Sequence, residues 1–399
     1  MKRTPLWAAV FCFLLFTLPG AFAGDFGFIL SQKALFTNGE LSSGTTEYSG
    51  TVMPWFASPL GDKADLYLSG GLSARYEDEE WKPLPEIYRF EAVYSPFPDL
   101  RLEAGRVPFK ESLSYVAEGL FDGFSAGLNI GGGRLNGGLF YTGLLYKKAV
   151  YIYMSPDDKR DFADKDVYFA SRRFLGGINW EKTSVFDGRS DLSLSGLCQF
   201  DLNGGGAKIH SQYFEAAFTM PLGAGFNTVS GAVIEVAEKP GDACIAFALS
   251  AEVQWFLPGA VSSLLTLTGR FSSGDWNEGF GAFIPVTAKA QGRVLRPMLS
   301  GIAFVEAAYT ARLYRFLSAD VSGAYYFRTD KTTYTAPDMD TDSASPLLGA
   351  ELYGGLSWAP YSDLLLSLGA GIFLPQAGKV FLEKAEIQYR VELAASISL

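Results

Sequence analysis

The chain has 399 residues, of which 48% are hydrophobic, 15% aromatic and only 19% charged, and it contains 44 glycines. That balance is unusual for a cytosolic enzyme and suits many short strands set against lipid. The net charge of −10 argues against nucleic acid as a partner, because binding phosphates needs a basic surface.

In chain order, the first segment reads as a secretion signal. Lys2 and Arg3 form a positive head, Ala8 to Leu18 an apolar run, and Ala21-Phe22-Ala23 a small-residue cleavage site. The run is too short for a membrane anchor. The expected organisation is a signal peptide over 1–23 and one barrel over 24–399, with the mature chain starting at Gly24. Losing Lys2 and Arg3 takes the net charge to −12. No later stretch is apolar for long enough to make a helical span.

From Gly24 onward the pattern has period two. At the end of the chain Ile387, Tyr389, Val391, Leu393, Ala395, Ile397 and Leu399 fall on one face, and Glu386, Gln388, Arg390, Glu392, Ser396 and Ser398 on the other. Strands of soluble sandwiches usually stop at about five or six residues, whereas a tilted membrane strand needs about 9–11. The same alternation recurs at 245–255, 305–313, 317–327 and 350–358. Strands are expected to begin near Phe26, Thr45, Ala64, Glu86, Asp99, Phe121, Arg134, Arg172, Asp191, Ile209, Gly225, Ala243, Ser262, Ile302, Phe316, Leu347, Asp363 and Glu386. That makes about eighteen strands, an even number as single-chain bacterial barrels require.

Connections alternate in length. Short ones at 58–63, 96–98, 131–133, 222–224, 257–260 and 359–362 are interleaved with longer ones, notably 147–171, 273–298 and 329–346. This is the layout of short periplasmic turns and long extracellular loops, with both termini on the periplasmic side. Trp55, Trp180, Trp255 and Trp358 each precede a short turn, and Tyr94, Tyr314 and Tyr361 hold equivalent places. They are expected to form the periplasmic aromatic girdle. Trp55-Phe56-Ala57-Ser58-Pro59, Tyr94-Ser95-Pro96 and Trp358-Ala359-Pro360 repeat one unit, an aromatic followed by a proline turn.

Alternation assigns to the inner face Glu47, Asp65, Arg75, Arg89, Glu91, Arg101, Glu103, Arg173, Glu215, Glu235, Glu252, Arg270, Glu306, Arg312, Asp320, Arg328, Glu351, Arg390 and Glu392. Charges there need a wet lumen, since in lipid each would cost roughly 2–4 kcal/mol. Arg89/Glu91 and Arg101/Glu103 lie on neighbouring strands, placed to set a transverse field or simply to stiffen the wall. The link 273–298 carries Trp276, Phe280, Phe283, Ile284 and Pro285 and is too apolar for a solvated loop. It is expected to fold inward as a constriction formed by Trp276, Phe280 and Phe283, with a surface cap as the alternative.

Signals for chemistry are poor. His210 is the one histidine. Gly123-Phe124-Ser125-Ala126-Gly127 matches a nucleophile elbow but lies within a continuous strand, where the required sharp turn is absent. Gly204-Gly205-Gly206 lacks the Lys-Ser/Thr of a phosphate loop. Asp338, Asp340 and Asp342 begin like a calcium loop without its glycine or distal glutamate. Cys198 and Cys244 fall three strands apart, roughly 14 Å at about 4.8 Å per strand, beyond the about 7 Å that a disulfide spans. No catalytic residue, cofactor or metal site is expected.

Two stretches carry a resemblance. Leu102-Glu103-Ala104-Gly105-Arg106 followed by Phe121-Asp122-Gly123 is similar to a stretch of outer-membrane substrate-diffusion porins. Arg270-Phe271-Ser272-Ser273-Gly274-Asp275 with Phe283-Ile284-Pro285 resembles the long-loop region of eighteen-stranded alginate-export and carbohydrate porins. The chain also resembles barrels of spirochaete outer membranes, and it ends in Leu399 where many proteobacterial porins end in Phe. The resemblance implies passive movement of small polar solutes. The combined expectation is all-β: a transmembrane antiparallel up-and-down β-barrel of the outer membrane, serving as a diffusion channel for small polar solutes or ions. A closed, surface-exposed barrel acting as an adhesin or antigen is the alternative. Outer-membrane lipids, the barrel-assembly machinery and a second copy of the chain are the expected partners.

Overall fold

A computed structural model describes residues 24–38, 45–77, 80–186, 188–204, 206, 208–259, 261–276 and 280–399. The expected signal peptide lies outside them. The strands are β1 (Asp25–Thr37), β2 (Thr45–Pro59), β3 (Ala64–Glu77), β4 (Glu80–Phe97), β5 (Leu100–Lys110), β6 (Glu118–Ile130), β7 (Gly133–Tyr141), β8 (Arg173–Val185) and β9 (Ser190–Asp201). They continue as β10 (His210–Gly223), β11 (Phe226–Lys239), β12 (Asp242–Leu257), β13 (Ser263–Ser272), β14 (Ile302–Tyr314), β15 (Leu317–Arg328), β16 (Leu347–Tyr361), β17 (Leu364–Leu374) and β18 (Gln388–Ser398). Two short helices, α1 (Lys147–Val150) and α2 (Pro156–Ala163), lie between β7 and β8.

Each strand pairs antiparallel with its chain neighbours, and β1 pairs with β18 through Ile29–Ser398 to Thr37–Arg390, so the 18-stranded sheet closes on itself. Closure removes the free edges that an open sheet would expose in lipid. Observed strand starts fall within three residues of the expected ones except at β4, which begins at Glu80, six residues early. Pro83 and Pro85 hid this extension. They are tolerated because β4 pairs with β5 only from Phe97 up to Phe90, opposite Arg106, and above that point keeps β3 alone as neighbour.

Alternation holds because the two faces meet different solvents. On β12, Ile245, Leu249, Val253 and Trp255 are exposed on the outside, while Cys244, Ala246 and Ala248 are buried inside. At the end with the termini every link is short: 60–63, 98–99, 131–132, 186–189, 224–225, 258–262, 315–316 and 362–363. The other end carries the long links 142–172, 273–301, 329–346 and 375–387, together with a two-residue turn at 240–241. The hydrophobic core lies inside the barrel, where Phe121, Phe140, Leu175 and Val233 of the wall pack against Tyr115, Val116, Ile152, Met154, Phe283, Val286 and Leu299 of the links.

Candidate functional site: the lumen and its inward links

The link 111–117 leaves β5 and turns into the lumen. Glu111 accepts hydrogen bonds from its own link at Val116 N (2.7 Å) and Ala117 N (3.0 Å), and burial holds its carboxyl above the ordinary 4.5. Further along, Leu113 N donates to Glu215 of β10 at 3.1 Å, and the Leu113 side chain lies against Gly231 of β11, where a Cβ would come within 2.4 Å. Tyr115 lies under the Arg270 guanidinium at 4.9 Å. The link thus spans from β5 to the wall formed by β10–β13.

The link 273–301 comes from the far side. Its anchors are carboxylates meeting backbone amides, charge-assisted bonds of the stronger kind. Glu235 of β11 accepts from Ile284 N at 2.7 Å, and Tyr213 of β10 donates to Ile284 O at 2.6 Å. Glu351 of β16 accepts from three successive amides, Arg293, Val294 and Leu295, at 2.8, 3.0 and 2.8 Å. Val294 is able to lie on the wall because Gly371 of β17 has no side chain there; a Cβ would meet Val294 at 2.9 Å. This arrangement leaves Lys289, Arg293 and Arg296 exposed inside the barrel. Arg293 stands 5.5 Å from the Tyr353 ring, and Arg296 shares its surroundings with Arg390, Glu392, Tyr151 and Tyr153.

The link 142–172 packs between them. Tyr151 O receives Ala288 N and Val116 O receives Thr287 N, each at 3.0 Å, tying the three links together. Its own anchor is Asp158 in α2. Arg173 is fully buried and donates to Asp158, to Asp201 at 3.2 Å and to Gln199 at 2.6 Å. Burial pushes the Asp158 carboxyl up, but Arg173, Ser171 and the Ser155 amide outweigh it, so it sits below its ordinary 3.8.

The charged residues that alternation assigns to the lumen fall on the inner face by register. Arg75, Arg89, Arg101, Glu103, Glu252, Arg270, Glu306, Arg312, Asp320, Arg390 and Glu392 remain at least partly accessible. Glu91, Arg173, Glu215, Arg328 and Glu351 do not line open space. Each is buried, and the last four are covered by the inward links and bonded to them or to neighbouring strands. Arg101 Nε bonds Glu103 at 2.5 Å and its Nη2 reaches Glu91 across the β4–β5 boundary at 3.8 Å. The aromatic expectations need two corrections. Trp55 points inward, near-parallel to Tyr67 at 6.4 Å with Arg89 over the Tyr67 ring, because its position on β2 shares the face of Thr51 and Ser73. Trp180, Trp255 and Trp358 occupy outer-face positions beside Ile178, Val253 and Leu356. Trp276 packs on Phe247, an outer-face residue, at 5.4 Å and is 60% exposed, so it lies at the rim and not in the channel. Phe280 and Phe283 are inside but buried, Phe283 against Tyr213.

Ser125 lies within β6 and donates to Glu103 at 3.1 Å, far from His210 on β10. Arg106 and Asp122, the charged pair of the porin-like stretch, are opposite each other on β5 and β6 and form a 2.8 Å ion pair. Asp338 bonds Lys384 at 2.7 Å, and no cluster of metal-ligating residues occurs among the described residues. Sequence reasoning missed the link 111–117 and the exposed trio Lys289, Arg293 and Arg296. A signal for the first was present in Leu113, Tyr115 and Val116, three large apolar residues in a seven-residue link.

Between the links and the wall of β4–β8 lies a cavity of about 770 Å³. Arg101, Arg106, Lys110 and Arg134 line it together with Glu86, Glu103, Glu118 and Glu181, so both signs are offered in equal number. A closed wall that is apolar outside and charged inside defines the class of the protein as a transmembrane β-barrel of the outer-membrane type. Within that class the chain is similar to OpdQ of Pseudomonas aeruginosa (TM-score 0.62, 12% identity, 94% of this chain and 99% of that one). It is also similar to OpdK of that bacterium, solved with vanillate (0.62, 12%, 94% and 98%), and to OccK2, or OpdF, in complex with glucuronate (0.60, 13%, 94% and 96%). No family model matches the sequence, and no curated protein matches it.

Proposed function

We propose that the chain is an outer-membrane diffusion channel for small polar solutes. The observation that carries this is the roughly 770 Å³ cavity inside a closed wall, lined by equal numbers of acidic and basic side chains. A solute crossing it exchanges hydration for fixed charges of both signs, which suits compact polar molecules and disfavours apolar ones. Two of the structural neighbours hold small acidic ring compounds, vanillate and glucuronate, which supports solutes of that size. The link 273–301 narrows the passage with Lys289, Arg293 and Arg296, and the wall presents Arg75, Arg101, Glu103, Arg390 and Glu392. Lipids of the outer membrane surround the girdle of Trp180, Trp255 and Trp358, and the barrel-assembly machinery inserts the chain. The finer kinship to alginate-export and carbohydrate porins rests on the short stretch Arg270–Asp275 with Phe283-Ile284-Pro285 after it.

The test is single-channel conductance of the refolded barrel in a planar bilayer under a salt gradient. Steady conductance is expected, with a reversal potential set by the exposed arginines. Silence from a barrel whose fold is verified by faster gel migration before boiling would replace this reading with a closed, surface-displayed barrel.

A further inference from the structure

The wall is not sealed along its whole height. Pairing of β4 with β5 stops at Phe90–Arg106, while β5 runs on to Lys110 and β4 runs back to Glu80. Continued upward, that register would set Tyr88 opposite Pro108 and Glu86 opposite Lys110, and no such pairing occurs among the described residues. The cause is local. The register of β4 against β3 shifts between Ser69 and Gly70, leaving Tyr88 as the extra residue, its hydroxyl 2.7 Å from Ser73. Such a bulge bends the strand that carries it.

Prolines then keep the gap from closing. In a strand the N–H and C=O of one residue point to the same side. The Pro85 carbonyl accepts from the Tyr168 hydroxyl at 3.1 Å and the Ile87 carbonyl accepts from Arg106, so this edge of β4 faces the gap. The nitrogens of Pro83 and Pro85 face it too and have no hydrogen to give to β5. Arg106 stands six residues up β5 from Leu100, which at about 3.3 Å per residue and a 45° tilt puts the start of the gap roughly 14 Å up, in the outer half of an apolar band about 25 Å tall.

A small flap fills the gap. Residues 144–147 and 168–170 form it, joined by the Tyr146–Phe169 bridge and by Ala170 N to Leu145 O at 2.8 Å. Tyr168 ties it to β4, and Arg106 ties it to β5 through Leu144 O at 3.3 Å. Outside, Ile87, Phe90, Leu144 and Phe169 are exposed. Inside, Phe109, Leu145 and Val150 line the 770 Å³ cavity, whose lining includes Glu86 and Tyr88 from one bank and Arg106, Pro108 and Lys110 from the other. Apolar side chains of the flap therefore run from the lipid side to the cavity between banks that carry Glu86, Arg106 and Lys110, and further charges, Arg101, Arg134 and Glu181, lie deeper.

We propose that the β4–β5 gap is a lateral portal through which a single-chain amphiphile moves between the cavity and the outer leaflet, charged head inward and chain toward lipid. The flap is its gate, and polar solutes follow the axial path independently of it.

The test is photolabelling with a diazirine-bearing dodecanoate in lipid vesicles, with adducts mapped by mass spectrometry. The native chain is expected to carry adducts on Phe109, Leu145 or Val150. Adducts confined to Ile87, Phe90, Leu144 and other outer-face residues would overturn the portal with no variant needed. Pro85→Cys with Tyr168→Cys, made in a Cys198→Ala/Cys244→Ala background and joined by a short thiol-reactive linker, fixes the flap to β4. The linker is expected to cut inner adducts several-fold and leave salt conductance unchanged. Inner adducts that persist undiminished would show entry along the barrel axis and also overturn the portal. Conductance on the same preparation reports separately on the axial channel.

Discussion

At the end of the wall that carries both termini, links are two to five residues long and side chains alternate between lipid and lumen up to the register shifts beside the turns, as at Tyr94/Phe97 and Trp358/Tyr361. At the other end, links of up to thirty-one residues fold into the barrel, pack against one another and cover charges that the alternation assigns to open water. One half of the molecule is governed by the two solvents it separates, the other by tertiary packing inside a closed wall. The comparison predicts that substitutions in the turn-rich half will be graded by which way the side chain points, and those in the loop-rich half by which anchor they remove.

The largest effect is expected at Asp158. Asp158→Asn leaves the fully buried Arg173 short of one of its two carboxylates, and breaking a buried pair costs about 3–5 kcal/mol. Unfolding in detergent and proteolysis of the 155–172 segment would read this. The pH dependence has a definite sign. The folded-state carboxyl lies below its ordinary 3.8, so its contribution is fully present above 3.8 and is lost as pH falls through the lower folded value. Hydrogen exchange in this segment that speeds up while the pH is still well above 3.8 would contradict the latch.

Next comes a pair of neighbours on β15. Val321 is 54% exposed on the outer face, and Ser322 is on the inner one. Val321→Arg should cost about 2–4 kcal/mol, as a charge near the bilayer midplane does, and Ser322→Arg close to nothing. Equal losses in reversible folding into vesicles would dissolve the contrast between faces on which the comparison stands.

Glu351→Gln acts on the loop-rich half alone. The neutral amide keeps the shape but weakens three charge-assisted bonds to Arg293, Val294 and Leu295, a loss of about 1.5–3 kcal/mol. The barrel should still form, so gel migration stays native, while single-channel current in a planar bilayer becomes noisier. Its reversal potential should move toward cations as Arg293 and Arg296 leave their places. An unchanged reversal potential in a folded variant would mean that these arginines do not set selectivity.

Period two made the wall legible, because every wall residue faces one of two solvents and the backbone alternates with the same period. Seventeen of the eighteen strand starts could be read that way, and the one wide miss, β4, came from prolines that a strand tolerates where it lacks one neighbour. The links could not be read in this way. Glu351 and Arg390 are both inner-face glyphs of the same alternation, yet one is buried under backbone amides and the other remains accessible. The difference depends on where residues some 56–58 positions away along the chain settle. Trp276 misled for a related reason. An aromatic in a long link satisfies itself equally well against Phe247 on the outer rim or in the lumen, and composition does not distinguish the two.

The smallest effect tests the aromatic residues, where the same residue type and the same sequence context lead to opposite faces. Trp255 stacks on Phe226 at 5.0 Å on the outer face, and Trp55 lies near-parallel to Tyr67 on the inner one. Each precedes a short turn, so the girdle expectation treated them alike. Replacing either by Leu should cost only about 0.5–1.5 kcal/mol, the scale of one aromatic pair. Stability alone will therefore not separate them, but quenching will. With Trp255 as the sole tryptophan, emission should be quenched by brominated lipid and little affected by iodide in the water. With Trp55 as the sole tryptophan, the order should reverse, since the ring beside Arg89 and Tyr67 meets the aqueous lumen. Lipid quenching of Trp55 would turn that residue outward, shift the inner face of β2 by one position, and with it the register that places Ser73, Tyr88 and the bulge beside the β4–β5 gap.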